Sequence, residues 1–262
     1  MDNKKEEKIF AARVEDQIRA CENKYMMTHT DFLDLHQRSL AESVIRSTGF
    51  RKYGFYGGYD DAERVIAVFL PDYIEQDDPA EYFKEEAEDD PLTVLRITHG
   101  RGGKELTHRD YLGALMGLGI KREVTGDILV GEEGADAVVL RDIAEFIEMN
   151  MTSAGRSTVS IEQADISDLR VPEQRMEERD ASVASLRLDN VLSAAFGLSR
   201  NSAVEAIKSG LVFVDSIEMS KPDHQIDEGA RLVLRHKGKA VLSEIGRTTS
   251  KGRIHVKILR YK

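Results

Sequence analysis

The stretch SLRLDNVLSAAFGLSRNSAVEAIKSGLVFV, residues 185–214, decides how the chain is read. Leu188, Val191, Leu192, Ala195 and Phe196 recur at i, i+3, i+4, i+7 and i+8, which puts them on one apolar face of a helix. Gly197-Leu198 makes a turn, and Ser199 is a capping residue for a second helix with Ala203, Val204 and Ile207 facing inward. Gly210 is placed to end that helix. Leu211 to Val214 then alternates as a strand, and Arg231 to Arg235 supplies another. Two short helices laid at an angle on a small sheet turn the second helix's polar edge outward, with Arg200, Asn201 and Lys208 on or near it. Such an edge suits phosphate contacts, which position a protein on nucleic acid.

Charge agrees with that edge. The whole chain of 262 residues carries a net −10, which by itself argues against a nucleic-acid partner. Residues 181–262, however, hold 14 Lys/Arg against 8 Asp/Glu, so the remainder has 23 basic and 39 acidic side chains, a net −16. Within residues 231–262 the ratio is 10 to 1, and Arg235, Lys237 and Lys239 alternate there with His236 and Gly238. One side of an extended loop would then face phosphates. A charge asymmetry of this size between parts of a chain signals a polyanion partner.

Upstream, the segments read strand (Leu92–Thr98), helix (His108–Leu118), strand (Asp127–Val130), strand (Ala137–Leu140), helix (Arg141–Met151) and strand (Ser157–Ile161). Thr107 with Asp110 three residues later is a cap for the first helix. This βαββαβ order is a plait resembling RNA-recognition domains, shared with many proteins that bind no RNA. Its candidate basic contacts are Arg101, Lys104, His108, Arg109, Lys121 and Arg122. The N-terminal part opens with a helix through Ile9, Phe10, Val14 and Ile18, followed by a helix over Gln37–Ser47. Two strands, Phe50–Tyr56 and Arg64–Leu70, follow, with Gly57-Gly58 read as the hairpin turn between them. Tyr53, Phe55 and Tyr56 beside that turn are of a type that stacks on bases, but aromatics flanking a hairpin are more often core and are read as core. Two charged stretches look like seams, the acidic run Glu75–Pro91 and Asp165–Ala184.

The run from Ser185 to Leu192, with Leu198-Ser-Arg, Ala203, Ile207-Lys-Ser-Gly, Val212-Phe-Val and Lys221-Pro, resembles the S4 RNA-binding domain. Asp215-Ser216 stands where Asn-Gly is usual in that domain. The resemblance implies that the start of the first helix and the second helix face RNA, here Arg187, Ser199, Arg200 and Lys208, with Asn201, Lys221 and the tail residues beside them. Further segments extend the resemblance, among them Thr30-Asp-Phe-Leu-Asp, Gly57-Gly-Tyr-Asp-Asp-Ala-Glu-Arg and Thr107-His-Arg-Asp-Tyr-Leu-Gly-Ala-Leu-Met. With Gly126-Asp-Ile-Leu-Val and Gly238-Lys-Ala-Val-Leu-Ser-Glu-Ile-Gly-Arg, they make the chain similar to the YlmH family over most of its length. That family is bacterial, often encoded among cell-division genes, and is linked to quality control of stalled translation on the large ribosomal subunit. The resemblance implies contact with rRNA and with tRNA through the S4 domain.

Sharper chemistries find little support. Arg187-Leu-Asp189 resembles the catalytic triplet of pseudouridine synthases but lacks the Thr-Ser-Gly that accompanies it there, and Asp189 reads instead as a first-turn carboxylate favoured by the helix dipole. Gly100-Arg-Gly-Gly-Lys104 has neither the P-loop's spacing nor its Ser/Thr, since Glu105 follows the lysine. It reads as a mobile loop that touches RNA backbone. Gly113, Gly117 and Gly119 are read as close helix packing and a helix stop. Seven histidines and a lone cysteine show no zinc spacing, so neither metal nor cofactor is expected. No run of about 18 apolar residues occurs, and the charged N-terminus lacks a secretory pattern, which points to the cytoplasm.

The expectation is therefore an α+β protein in four parts. An N-terminal α/β domain covers 1–76, an RRM-like RNA-binding plait 77–164, a linker 165–180, and an S4 domain with a basic tail 181–262. It is expected to act as a monomer, without catalysis, on rRNA of the large subunit. The alternatives are an RNA-modification enzyme or its accessory subunit carrying an S4 module, and a cell-division-linked interaction protein.

Overall fold

The computed structural model describes residues 3–100, 106–173, 176–250 and 252–261, in two compact units, Met1–Pro172 and Glu173–Lys262. In the first unit, helix α1 (Asn3–Lys24), strand β1 (Thr28–His29) and helix α2 (Leu35–Thr48) precede strands β2 (Tyr53–Tyr56) and β3 (Ile66–Phe69). Asp34 caps α2 by accepting from the Gln37 N–H at 2.8 Å, while Gln37 Oε1 accepts from the Asp34 N–H. The three strands form an antiparallel sheet in the order β1-β3-β2. Val14, Ile18, Ala41 and Ile45 on the helices bury against Ala67 and Phe69 of β3.

The connection from β2 to β3 is not a tight hairpin at Gly57-Gly58, because Tyr56 pairs with Ile66 and nine residues lie between them. Asp127 pins this loop by accepting from Tyr59 Oη at 2.9 Å and from the backbone N–H groups of Glu63 and Arg64. Its burial tends to raise the carboxyl pKa, and that effect dominates over these hydrogen bonds. Gly57 is required by close approach, since a Cβ there would lie 2.6 Å from the Arg64 carbonyl oxygen.

Helix α3 (Pro79–Glu85), strand β4 (Leu92–His99), helix α4 (His108–Gly117) and strands β5 (Thr125–Gly131) and β6 (Gly134–Leu140) come next, then helix α5 (Arg141–Asn150) and strands β7 (Ser153–Ala154) and β8 (Ser157–Ala164). The sheet order β5-β6-β4-β8-β7 is the βαββαβ plait with a short strand added at one edge. Asp110 Oδ2 accepts from the Thr107 N–H at 2.8 Å, so the capping pair at the start of α4 is real. Gly113 and Gly117 have open space where a Cβ would go, so close packing is not their reason; Gly119, at φ +78°, does stop the helix.

The division expected near residue 76 is bridged by one core. Phe32, Tyr56, Ile66, Val68 and Leu70 pack with Phe83, Leu92, Val138 and Leu140. Asp136, 1% exposed, lies beneath the plait's surface and holds Arg96 and Arg170, the latter at 2.6 Å. Its own burial opposes ionisation, but the two guanidiniums outweigh this and hold its carboxyl below the ordinary range.

The second unit begins with strand β9 (Met176–Val183), where a linker was expected. It carries four consecutive charged residues, Glu177 to Asp180, and pairs register for register with the last strand, from Val183 opposite Ile254 to Met176 opposite Tyr261. Helices α6 (Leu188–Phe196) and α7 (Arg200–Lys208) and strands β10 (Val212–Val214), β11 (Ile217–Glu218), β12 (Arg231–Leu234), β13 (Gly238–Thr248) and β14 (Ile254–Tyr261) complete it. They form an antiparallel sheet, β11-β10-β12-β13-β14-β9. The apolar face of α6 is buried against Val212, Val214, Leu232, Leu234 and Ile258, each large side chain contributing roughly 1.5–3 kcal/mol. Asp215 and Ser216 both have positive φ, 49° and 68°, so they make the hairpin turn that Asn-Gly would make with less strain. The tail is thus three paired strands rather than an extended loop.

Candidate nucleic-acid interface

The start of α6 is built by the loop that precedes β12. The Leu188 N–H donates to the His224 carbonyl at 2.7 Å and the Asp189 N–H to the Pro222 carbonyl at 3.0 Å. The free donors of a helix N-terminus are therefore used inside the domain. This also seats Lys221, which is exposed, next to the first turn of α6.

Asp189 organises the site. It is 1% exposed, and both of its oxygens are taken by arginines. Arg187 donates through Nε to Oδ1 at 3.1 Å and through Nη2 to Oδ2 at 3.2 Å; Arg200 donates through Nε to Oδ2 at 3.0 Å. Burial alone would push the Asp189 carboxyl up, but hydrogen bonds from Arg187 and Arg200 outweigh it and lower the pKa below the ordinary value. The two arginine side chains remain 36% and 60% exposed, so the buried carboxylate presents a pair of guanidiniums to solvent with net charge +1. With its oxygens engaged in this way, Asp189 holds the two guanidiniums together. The pattern Arg-Leu-Asp followed eleven residues later by Arg200 carried the signal, although the first-turn dipole was the only role read from it.

The other residues fall into separate places. Ser199 caps α7, its Oγ accepting from the Ser202 N–H at 3.1 Å, and Asn201 is exposed in the first turn beside Arg200. Lys208 is exposed at the far end of α7, about 12 Å along the axis from Arg200 at 1.5 Å per residue. Arg235 and Lys239 lie on the face of the sheet turned away from the helices. Register shows this: Val212, Val214, Leu232 and Leu234 face the core, Phe213 and Val233 the opposite side, and Lys239 pairs with Val233. Arg235 covers the Phe213 ring at 5.5 Å. Lys237 is exposed in the tight turn between β12 and β13, and its carbonyl accepts from Arg260 Nη2 at 3.3 Å.

Arg260 was missed from sequence. Its guanidinium lies 5.5 Å over the Phe196 ring at the C-terminal end of α6, where Arg179 Nη1 also approaches Gly197. No local motif marks either residue, because only the pairing of β9 and β14 beside the helix brings them there. Cations at a helix C-terminus also complement its dipole.

In the plait, His108 and Arg109 are exposed in the first turn of α4, while Lys121 is exposed beyond its other end. The structure does not gather them into one patch. Arg122 turns inward, donating to the carbonyls of Thr125 and Gly126, and burial with repulsion from Arg64 lowers its pKa to about 10. It serves the fold. Arg101 and Lys104, with the glycine-rich loop that carries them, lie outside the described residues. Among the described residues no helix is long and apolar enough to cross a membrane, and no group of three or more His, Cys, Asp or Glu could hold a metal ion.

A family model described as "Putative RNA-binding domain in YlmH" matches residues 86–168, which is the plait, and the S4 domain model matches residues 186–232. The chain is 34% identical over 261 residues to the ribosome-associated protein quality control protein P2 of Bacillus subtilis (strain 168), covering 99% of this chain and 97% of that one. The chain belongs to the YlmH family. A solved structure, the cell division protein ylmH from Streptococcus pneumoniae, is 25% identical, covers 63% of this chain and 95% of its own, and gives a TM-score of 0.48. The S4 match encloses Arg187, Asp189, Arg200, Lys208 and Lys221 and ends before Arg235, so the arginine pair lies inside the family-defined module and the basic tail outside it.

Proposed function

We propose that this YlmH-family chain is a non-enzymatic RNA-binding protein that docks on rRNA of the large ribosomal subunit, contacts tRNA there, and acts as a monomer in the cytoplasm in quality control of stalled translation. The observation that carries the reading is the Arg187–Asp189–Arg200 clip at the exposed edge of the S4 domain. Two guanidiniums held by one buried carboxylate form a rigid fork for phosphate oxygens. Asn201 and Lys221 flank it, and Lys208 lies further along α7. Structured RNA is met mainly through backbone and shape, because its base edges are hidden in a deep, narrow groove. The name of the Bacillus subtilis relative supports the setting.

The test is co-sedimentation with ribosomal subunits, run beside an assay for modified nucleosides. Replacing both arginines alone would strand Asp189 as a buried unpaired carboxylate, so the informative variant is Arg187→Gln, Arg200→Gln and Asp189→Asn together. Loss of large-subunit binding by a folded triple variant is the expected result. Wild-type binding by that variant, or nucleoside modification that depends on the protein, would remove the reading.

A further inference from the structure

The first unit contains a cleft of about 530 Å³, within the roughly 300–1,000 Å³ typical of small-ligand sites. Its floor is Tyr56, whose hydroxyl donates to the buried Asp90 at 2.7 Å and whose ring packs on Phe83 with centroids 5.0 Å apart. Gly57 and Gly58 form part of the wall.

Arg38 of α2 lines the same cleft, and its guanidinium lies 4.8 Å over the Phe55 ring. Among the described residues that guanidinium has no hydrogen-bond or ion-pair partner, although the side chain is half-buried. Burial lowers its pKa against a weaker opposing pull from Glu42, which itself is engaged by Arg46 at 2.8 Å. A desolvated arginine normally finds acceptors, and a guanidinium stacked on an aromatic ring keeps its in-plane donors free for one. Arg141, by contrast, spends its donors on the carbonyls of Asp90 and Leu92.

The charge around Arg38 selects the kind of acceptor. Asp60 and Asp165 line the cleft as exposed carboxylates, and Asp78 lies there as the cap of α3. With Asp90 these carboxylates outnumber the cations of the lining, Arg38, Lys84 and Arg141, so a phosphate is disfavoured there. A neutral planar ligand with acceptors on one edge and donors on another would satisfy both signs. Among the common bases guanine has that layout, with O6 and N7 for an arginine and N1–H and the 2-amino group for a carboxylate. Single-stranded bases are also held by stacking on aromatic rings or guanidinium planes.

We propose that this cleft is a second RNA contact that takes one unpaired guanine base, splayed out of its strand, with Arg38 donating to its acceptor edge and Asp60 accepting from its donor edge. The source of the ligand rests on the RNA-binding reading above; the chemistry of the cleft does not.

Ligand-observed NMR on the full chain, with guanosine, adenosine and inorganic phosphate as probes, tests it. Saturable binding of guanosine that phosphate does not displace is expected, with adenosine at least several-fold weaker. Arg38→Met should weaken guanosine binding at least tenfold. Asp60→Asn, at an exposed position, should weaken guanosine about threefold and leave adenosine unchanged, which keeps the proposal testable if Arg38→Met does not fold. Displacement by phosphate, equal binding of both nucleosides, unaltered affinity in either folded variant, or no guanosine binding would each overturn it. The triple variant of the S4 clip should bind guanosine normally, so a failure of subunit docking and a failure of the cleft are read separately.

Discussion

Asp189→Asn separates orientation from charge, because the two make opposite predictions at the S4 face. The substitution removes one negative charge from beside two guanidiniums. If net charge governed RNA affinity, binding would tighten: a carboxylate about 7 Å from a phosphate repels it by roughly 0.6 kcal/mol in water, and less in salt. If the clip matters because it holds Arg187 and Arg200 in place, binding weakens, since both side chains must then be ordered on contact. Immobilising a flexible side chain costs about 0.5–1.5 kcal/mol, so two cost about 1–3 kcal/mol, a factor of roughly five to 150 in affinity. Orientation exceeds charge on these figures. The assay is titration of an rRNA fragment at several salt concentrations, with thermal unfolding as a control. Stability should also fall, by about 1–2 kcal/mol, because charge-assisted hydrogen bonds to a buried group are lost while both arginines can turn to solvent. Equal or tighter binding by a folded Asp189→Asn protein would refute the clip as the element that presents the arginines.

Asp136→Asn should destabilise the first unit by about 2–4 kcal/mol, read by denaturant unfolding, because Arg96 and Arg170 lose a carboxylate that is 1% exposed. The pKa values of Asp136 and Asp189 are both depressed in the folded state, so the stability they contribute is complete above the unfolded value near 4 and falls as pH drops through the folded values. Unfolding curves should therefore be flat in this respect above about pH 5 and weaken below about pH 4, and Asp136→Asn should flatten the acid limb of the first unit. Tyr111→Phe should be neutral or stabilising by up to about 1 kcal/mol in thermal unfolding, since the Tyr111 hydroxyl is buried with no partner among the described residues. Ser216→Gly should stabilise the second unit by about 0.5–1 kcal/mol by relieving a left-handed backbone in the β10–β11 turn. Lys237→Ala should flatten the dependence of log affinity on log salt by about 0.7–0.9, the share of one phosphate contact, and an unchanged slope would take the turn off the RNA surface.

The S4 helices were legible because every cue is local. Apolar residues at helical spacing, Ser199 as a cap and Gly210 as a stop sit within one short stretch, and each does in the structure what its chemistry suggests. The plait was legible for the same reason, with Thr107 and Asp110 marking the start of its first helix. Strand β9 was not, because four consecutive charged residues, Glu177 to Asp180, show no alternation of apolar and polar positions and no β-branched residue precedes Val183. Only β14, almost eighty residues later, supplies the partner that makes it a strand. The loop after Tyr56 failed differently: Gly57-Gly58 carries the composition of a tight turn, but Asp127, sixty-odd residues away, holds a longer excursion in place.

The same distinction between local and distant partners explains how the basic residues divide. A count of charges puts Arg187, Arg200, Arg235 and Lys239 in one class, and composition can go no further. Pairing separates them: Arg187 and Arg200 converge on Asp189 at the helix edge, while strand alternation carries Arg235 and Lys239 to the far side of the sheet. A flat docking surface cannot engage both faces of one sheet at once. If the helix edge meets rRNA, Arg235 and Lys239 are left for a different stretch of nucleic acid or for the fold, and Arg235 over Phe213 already has a structural use. The salt slope of binding should then report fewer contacts than the ten basic residues of the tail suggest, and those it reports should come from the helix edge and the β12–β13 turn.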